Sequence, residues 1–490
     1  MELQNRDEMT AETTVLRAMG GLYEANALLH CPGTPSELAE LFAAAAERRV
    51  KLTLVGSQRS FGEHFLPPAG AEAVSTTALG GSVRALDRQA DGSLWVRASA
   101  GLTFEELCRR LPGYIPFHPP TGERISLGGA LAACTHDAVG FFADDVRAFS
   151  LLAPNGTVYE CRAGAAGNGG ELFRAAPGSF GALGAILELE VRLRAVPDTQ
   201  RAEINVLEKC PTKGYRALER LESVHRNCEY PLGRGLFFFG RRGPSVLLGD
   251  NIVATSPSDW ALSLPLTDDA WSRNIAAQAL ANRFPAFMHR LQPWMFKRGR
   301  RFHASMYGFC FYQRSYDRAF EYLSRRAPGD WAPLLLRCVG VDPRLTVCHQ
   351  SFAVPIACVR DFLDLYFGVF DRYPDVERRL EQQDMIRLPE CRWPMHGAYG
   401  MFGGSYLFTA SFSVRRGQPS EARARRFLAQ VSAMAFARLG VKVLLLKQVH
   451  CDLAIMRQMH QPFVEALRVS KQRFDPAETL TSRLLQSLGV

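Results

Sequence analysis

Residues 55–62, VGSQRSFG, have types and spacing that suit a bound phosphate group. They directly follow an apolar run, VKLTLV, which predicts a buried strand. Small residues after a strand allow successive backbone N–H groups to point into one concavity, as a pyrophosphate requires. Arg59 would add a fixed positive charge. A plain strand-to-turn connection is the alternative interpretation.

A second segment, residues 119–137, has the sequence PPTGERISLGGALAACTHD. Gly128 and Gly129 have no Cβ, so the backbone there can lie flat against a large planar group. His136 follows seven residues after Gly129 and can donate or accept a proton. Close packing of a helix is the alternative for the glycines, and a purely structural side chain is the alternative for the histidine.

A third segment, residues 171–186, reads ELFRAAPGSFGALGAI. It predicts a short helix that ends at Pro177-Gly178, a loop of small residues around Gly181, and a strand that begins near Ile186. The preceding stretch, residues 164–170, is glycine-rich but lacks the GxGxxG spacing of a dinucleotide fingerprint. We therefore predict a surface loop there and exclude a Rossmann domain.

The elements around these segments predict an α+β fold and not a doubly wound sheet, because short strands are mixed irregularly with helices. A change of character near residue 197 predicts a second domain with longer strands. The predicted helices are 35–48, capped by Thr34 or Ser36, and TFEELCRRL at 103–111; the predicted strands include 71–77, 93–99, 186–196, 233–242, 405–416 and VKVLLLK at 441–447, with a helical tail after it.

Composition excludes several classes of protein. The 490 residues are 47% hydrophobic and 22% charged, which is typical of a globular protein. The 12 cysteines are scattered without a CxxC pair, so we expect reduced thiols and no metal site. The net charge of +9 is spread along the chain, and no nucleic-acid motif is present. No run reaches the ~18–20 apolar residues of a membrane span, so a cytoplasmic protein is expected.

Taken in order over residues 31–197, the three segments resemble the flavin-binding domain of the vanillyl-alcohol oxidase/p-cresol methylhydroxylase (PCMH-type) superfamily. The resemblance implies an FAD-binding domain at 1–197, joined by a returning segment at 441–490. It also implies a substrate, or cap, domain at 198–440, with an antiparallel sheet and flanking helices. The implied FAD-binding residues are Gly56, Ser57, Gln58, Arg59, Ser60, Phe61, Thr121, Gly122, Ile125, Ser126, Gly128, Gly129, His136, Gly181 and Ile186.

The C-terminal part is similar to the decaprenylphosphoryl-ribose oxidase branch of that superfamily. The similar features are a strand-borne Lys447, the FAVP sequence at 352–355 and FDPAETLTSRLL at 474–485. The branch implies that Lys447 is a catalytic residue, with His136 close to the flavin. On sequence alone, Lys447 is equally consistent with a surface lysine at the end of a strand.

Departures from the family pattern change what the resemblance implies. Arg59 stands where many relatives have a histidine joined covalently to the flavin, and arginine cannot form that bond, so FAD is expected to be non-covalent. Gln58 replaces a frequent glycine, which alters the expected loop path. Phe61 replaces a tyrosine, and Thr409 lies near the place of a pocket cysteine. Both changes imply a pocket for a different substrate.

The implied reaction is hydride transfer from a substrate CH–OH, in a sugar, polyol or lipid-linked alcohol, to flavin N5. Lys447 would act as a neutral base or as a charge partner. The alternatives are a C=C reductase of the sterol-reductase type, a natural-product tailoring flavoenzyme, and a flavin-free binding protein that keeps the fold.

Residues 283–301, RFPAFMHRLQPWMFKRGRR, combine aromatic and basic side chains without an acid. Such a stretch can contact an anionic membrane or a lipid-linked substrate, which would make the protein membrane-associated. The alternative is a helix that packs its apolar face internally and exposes its basic face.

Overall fold

The computed structural model describes residues 11–118, 124–136, 140–195, 200–211, 215–229, 233–238, 244–254, 346–390, 392 and 403–490. Thr121, Gly122 and the segment 283–301 lie outside these ranges. The strands are β1 (Ala11–Arg17), β2 (Glu24–His30), β3 (Leu52–Val55), β4 (Glu72–Ser75), β5 (Val83–Arg88), β6 (Leu94–Ser99), β7 (Tyr114–Pro116), β8 (Val146–Leu152), β9 (Val158–Arg162), β10 (Ala185–Ala195), β11 (Gln200–Pro211), β12 (Gly233–Phe238), β13 (Pro244–Ala254), β14 (Thr346–Val354), β15 (Leu380–Arg387), β16 (Tyr406–Val414) and β17 (Lys442–Val443). The helices are α1 (Pro35–Arg48), α2 (Phe104–Arg110), α3 (Leu127–Ala132), α4 (Gly167–Ala175), α5 (Arg216–Arg226), α6 (Val359–Val369), α7 (Pro374–Glu377), α8 (Pro419–Leu439), α9 (Leu453–Met459), α10 (Gln461–Phe474) and α11 (Arg483–Leu488). Among the described residues, no helix is long and apolar enough to cross a bilayer.

The first sheet has four strands in the order β1-β2-β4-β3, and the β2–β4 and β4–β3 pairs are parallel. Helix α1 crosses over between β2 and β3. The side chain of Thr34 accepts a hydrogen bond from the N–H of Glu37, which confirms the predicted cap. The apolar face of α1 packs Leu38, Leu41 and Phe42 against the sheet. This packing positions β3, whose last residue opens the segment predicted to bind phosphate.

The second sheet is antiparallel, with the order β5-β6-β10-β8-β9 and β7 paired to β10. Helices α2, α3 and α4 contribute to its core, as do α9, α10 and α11 from the C-terminus. Helix α2 begins with the capping box of Thr103 and Glu106. The core of this sheet therefore joins residues 94–193 to residues 444–488.

The third sheet is also antiparallel, with the order β11-β13-β12-β15-β16-β14-β17. Alternation along β16 gives the sheet two different faces. Phe408 and Phe412 point toward α6 and α8, where they meet the rings of Tyr366 and Phe427. Thr409, Ser411 and Ser413 point the other way, and all three side chains are buried.

The structure corrects two predictions. The predicted strand at 441–447 is reduced to Lys442–Val443, after which the chain turns. The predicted surface loop at 164–170 is in part the first turn of α4, which starts at Gly167. The helix–Pro–Gly–loop–strand order of the third segment is confirmed, and the sheets are mixed and antiparallel as expected of an α+β fold.

Candidate functional site

The loop after β3 lies directly against the start of α3. A Cβ on Gly56 would be 2.7 Å from Ser126 Oγ and 3.7 Å from the Cα of Gly129, so the glycine lets the loop lie directly against the start of α3. Ser57 Oγ accepts a hydrogen bond of 2.9 Å from the N–H of Ser126. The first and second predicted segments are thus in contact.

The third segment contacts the same helix, α3, and we call the site formed by the three segments the cradle. The N–H of Gly178 donates to the Leu131 carbonyl at 3.2 Å, and the N–H of Phe180 donates to Ala132 at 2.9 Å. A Cβ on Gly181 would lie 3.5 Å from the side chain of Leu54, just before the first loop. All three bare-backbone segments therefore converge at the end of β3 and on α3.

The glycines of the second segment have different surroundings. A Cβ on Gly128 would be 2.8 Å from the Cβ of Ala100, which favours the helix-packing alternative at this position. Gly129 instead faces Gly56. Ile125 packs against the core of the second sheet, and Ile186 is buried in that core near the start of β10. Any contact of Ile186 with a ligand would be an apolar one.

A buried histidine supports the far end of the first loop. The φ of Gln58 is 55°, a left-handed conformation that turns the loop at this exposed residue, and Arg59 next to it is half-buried. Ser60 Oγ lies 2.8 Å from His64 Nε2. Burial, with a smaller effect of the Lys447 charge, lowers the pKa of His64 to about 4. The ring is therefore neutral at ordinary pH.

Lys447 lies in a turn and not on a strand. The turn is closed by a 3.2 Å hydrogen bond from its N–H to the Leu444 carbonyl. Its Nζ is 5.2 Å from the centre of the Phe61 ring. Burial lowers the pKa of Lys447 to about 8, against an opposing effect of the Asp384 carboxylate. The Lys447 side chain is half-buried and surrounded by protein, which is not the environment of a surface lysine.

Polar side chains cover the face of the third sheet that the helices leave free. Asp384, Thr409 and Ser351 occupy one row across β15, β16 and β14, and they are at most 6% exposed. Ser351 Oγ lies 2.9 Å from Thr409 Oγ1. In the adjacent row, Ser411 Oγ lies 2.6 Å from His349 Nδ1. Five buried hydrogen-bonding side chains on one face form a surface that can recognise a hydroxylated ligand.

Phe61 joins this polar face to the phosphate loop. Its ring stacks on the ring of His349 with centres 4.2 Å apart and planes 20° apart. The pKa of His349 is well below its usual value, because the ring is buried and because Lys447, His450 and His136 are close. His136, which bridges to Phe141, therefore lies near His349. The loop, the lysine and the polar face form one candidate site.

Several residues of this site were missed in the sequence. Thr409 was expected near the pocket, whereas Ser411 was missed although its signal was present, because polar residues alternate with apolar ones in YLFTASFSV. His349 and Ser351 carry a weaker signal, since Gln350 between them is polar as well. Asp384 has no sequence signal, since no strand was predicted around it.

Comparison with known proteins identifies the cofactor. Residues 27–162 match the family described as FAD binding domain. This part of the chain is an FAD-binding domain. The mitochondrial D-lactate dehydrogenase (cytochrome) of Arabidopsis thaliana is 28% identical over 173 residues, which are 34% of this chain and 30% of that protein. The matched region thus spans under a third of the relative.

A solved structure extends the likeness to the whole fold. A protein described as solvent-stable cholesterol oxidase superposes with a TM-score of 0.64 at 13% identity, and the match covers 99% of each chain. At this identity the likeness concerns the fold alone.

The residues present in the structure fit FAD. A Cβ on Gly56 or on Gly129 would lie within 2.8 Å of Ser126 Oγ, so the two glycines leave room for this hydroxyl where the three segments meet. Ser126 Oγ is buried there, and within the described part of the chain it has no hydrogen-bond partner, as expected for a hydroxyl that faces a ligand. Phe61 and Lys447 then bound the side toward the third sheet. FAD is the cofactor of this protein.

Proposed function

We propose that the protein is an FAD-dependent oxidoreductase that oxidises a CH–OH group of a neutral sugar, polyol or lipid-linked alcohol. The observation that carries the proposal is the position of the Lys447 amine, between the Phe61 ring of the FAD-binding loop and the polar face of the third sheet. Bound FAD would accept the hydride. The chain would hold the alcohol and remove its hydroxyl proton.

Lys447 is suited to take that proton. With a pKa of about 8, about a tenth of the amine is neutral at pH 7, whereas an exposed lysine at ~10.4 is almost wholly charged. Asp384 and the neighbouring hydroxyls can accept and donate hydrogen bonds to further substrate hydroxyls. These properties support oxidation of an alcohol and make Lys447 the proposed base, with His136 proposed as a second catalytic residue.

We propose the domain division 1–197 plus 441–490 for FAD and 198–440 for the substrate. Two observations support it. Strand pairing changes from the second sheet to the third between Ala195 and Gln200. The core of the second sheet takes up Leu444, Leu445 and the C-terminal helices. In this arrangement the cap domain would place its polar face over the flavin.

Non-covalent attachment and the branch also remain proposals. Arg59 occupies the position of the family's covalent histidine, and a guanidinium cannot form that bond. The features at 352–355, Lys447 and 474–485 support the decaprenylphosphoryl-ribose oxidase branch, whereas Phe61 and Thr409 support a different substrate. Acid precipitation tests attachment, because a non-covalent flavin stays in the supernatant.

Replacement of Lys447 by alanine tests the proposed role. We expect Lys447→Ala to keep bound FAD but to reduce substrate-driven loss of flavin absorbance under anaerobic conditions by a factor of about 100 or more, the usual contribution of a positioned base. Lys442→Ala is the matched control, since Lys442 is a half-buried lysine in the same segment. Normal turnover by Lys447→Ala would refute the assignment. Anaerobic reduction by NADPH, and not by alcohols, would favour the C=C reductase.

The pH dependence separates the two roles of the amine. A base must be neutral, so the rate of flavin reduction should rise about tenfold per pH unit below pH 8 and level off above it. A charged amine that stabilises an alkoxide would instead give a level rate below pH 8 and a fall of about tenfold per pH unit above it. Stopped-flow measurement between pH 6 and pH 10 distinguishes the two slopes.

A further inference from the structure

The segment after β17 leaves the sheet earlier than its sequence favours. Val443 pairs with Phe352, and the N–H of Leu444 donates to the Ser351 carbonyl at 2.9 Å. If the strand continued in this antiparallel register, residues 446 and 448 would face His349 and Val347. The apolar sequence VKVLLLK favours that continuation. Instead the chain turns at Lys447.

The side chain of Gln448 occupies the place of the missing strand. Its Oε1 accepts a 2.8 Å hydrogen bond from the N–H of His349. Its Nε2 donates a 3.0 Å hydrogen bond to the carbonyl of Val347. The amide of Gln448 thus forms the hydrogen bonds that a continued strand would have formed with the N–H of His349 and the carbonyl of Val347, which we call the two edge groups of β14. Gln448 itself is 0% exposed.

Neighbouring residues fix the amide and the chain after it. His450 Nε2 lies 2.9 Å from the same Oε1 of Gln448. The N–H of His450 donates to Gln350 Oε1 at 2.6 Å, and Gln350 Nε2 donates to Ser432 Oγ on α8 at 2.9 Å. Two glutamine side chains therefore attach the segment after Lys447 to β14 without backbone pairing.

We propose that Gln448 is a positioning residue for Lys447: its side-chain amide substitutes for backbone pairing along β14, and so keeps the Leu444–Lys447 turn projecting the amine toward Phe61. The functional importance of this position rests on the proposed function. Without the amide, the N–H of His349 and the carbonyl of Val347 would be buried and unpaired. Extension of β17 would satisfy them, and it would withdraw Lys447 from the site.

The test measures the amine directly in the FAD-loaded protein. Acetylation of Lys447 by acetic anhydride, followed by peptide mass spectrometry between pH 6 and pH 11, reports its titration without a substrate. Gln448→Met should raise the midpoint from about 8 toward the ~10.4 of an exposed lysine. The labelling rate at pH 8 should then fall on the order of tenfold or more, with FAD retained.

Gln383→Met is the matched control. Gln383 is a buried glutamine of the same sheet, but it faces the helices, where Nε2 donates to the Tyr366 hydroxyl at 2.8 Å. This variant should lose stability and leave the Lys447 midpoint unchanged. A Gln448→Met protein that loses stability to a similar extent, with its midpoint also unchanged, would overturn the proposal.

A milder variant covers the case in which Gln448→Met does not fold. Gln448→Asn keeps the amide but is one methylene shorter, so it cannot reach both edge groups. It should shift the midpoint in the same direction, and an unshifted midpoint would again overturn the proposal. Because labelling needs no substrate, normal turnover by Lys447→Ala would refute the proposed base and leave this test valid.

Discussion

Gly62 is the residue at which the FAD-binding loop touches the backbone of Lys447. A Cβ on Gly62 would be 2.5 Å from the Lys447 carbonyl oxygen and 3.2 Å from His64 Nδ1. Neither neighbour is the free end of a flexible side chain, because His64 is buried and held by Ser60. The absence of a side chain at position 62 therefore allows the Lys447 backbone to lie directly against the FAD-binding loop.

We predict that Gly62→Ala retains FAD and loses turnover. The added methyl group must displace the Lys447 backbone, and a shift of ~1 Å at a reacting group can lower the rate about 100-fold. The flavin spectrum and the rate of anaerobic flavin reduction provide the two measurements.

Gly368 offers the matched control in α6. A Cβ there meets nothing within 4 Å among the described residues, so alanine should be neutral or stabilise the helix by up to about 1 kcal/mol. Unchanged kinetics of Gly62→Ala would show that the contact does not position the amine.

At the scale of elements, the flavin site depends on how a loop and a short helix are joined. At the start of α3, the N–H of Leu127 donates a hydrogen bond to the carbonyl of Leu102, and the N–H of Gly128 donates to the carbonyl of Ala100. Both distances are 2.8 Å. The N–H of Ser126 is bonded by Ser57 Oγ from the loop after β3. The helix is therefore anchored to the second sheet, and the loop is in turn anchored to the helix.

Ser57→Ala should weaken FAD binding by about tenfold without unfolding the protein. The change removes one hydrogen bond, worth ~0.5–1.5 kcal/mol, and leaves the buried N–H of Ser126 unpaired. Titration of the deflavinated protein with FAD measures the dissociation constant.

Ser93→Ala serves as the comparison for Ser57→Ala. Ser93 is a buried serine whose hydroxyl donates to Asp91 at 2.6 Å, next to β6 and away from the cradle. The stability of this variant should fall, whereas its affinity for FAD should not. Equal FAD affinity in wild type and Ser57→Ala would exclude the proposed anchoring role.

At the scale of the whole molecule, the C-terminus returns to β3, the strand that precedes the FAD-binding loop. The N–H of Leu52 on β3 donates a hydrogen bond to the carbonyl of Thr479, and the N–H of Thr481 donates one to the carbonyl of Leu52. Both distances are 2.8 Å. Asp475, fully buried, accepts from Lys471 Nζ at 2.6 Å and from the N–H groups of Thr479 and Leu480. A buried ion pair thus holds the last residues against β3.

Asp475→Asn should lower the free energy of unfolding by about 3–5 kcal/mol, because it leaves the Lys471 ammonium buried without its partner. We expect FAD release at lower denaturant concentrations as well, since β3 precedes the phosphate loop. Urea unfolding followed by tryptophan and flavin fluorescence measures both effects.

Asp375→Asn is the control for this loss of charge. Asp375 pairs with Arg423 at the surface, so its replacement should cost at most about 1 kcal/mol. Similar losses in the two variants would show that the buried pair adds nothing beyond an exposed one.

Local sequence determined the parts of this protein in which short-range physics decides the conformation. The caps at Thr34 and Thr103, the alternation of β16 and the glycine-rich turns at 56–62 and 178–184 follow from residue types at close spacing. The prediction of an FAD-binding domain rests on the family resemblance of three such segments, and a catalytic role for Lys447 stays a prediction.

Tertiary structure alone decided which side chains meet. The apolar run at 441–447 predicts a strand by local propensity, yet the buried amide of Gln448 bonds the edge of β14 and the chain turns. Likewise, Asp384, Thr409, Ser351 and His349 share one polar face only because β14, β15 and β16 pair in one register. Pairing over such long separations depends on which edge groups and surfaces remain to be satisfied after the whole chain has folded, and this information is not contained in any single segment.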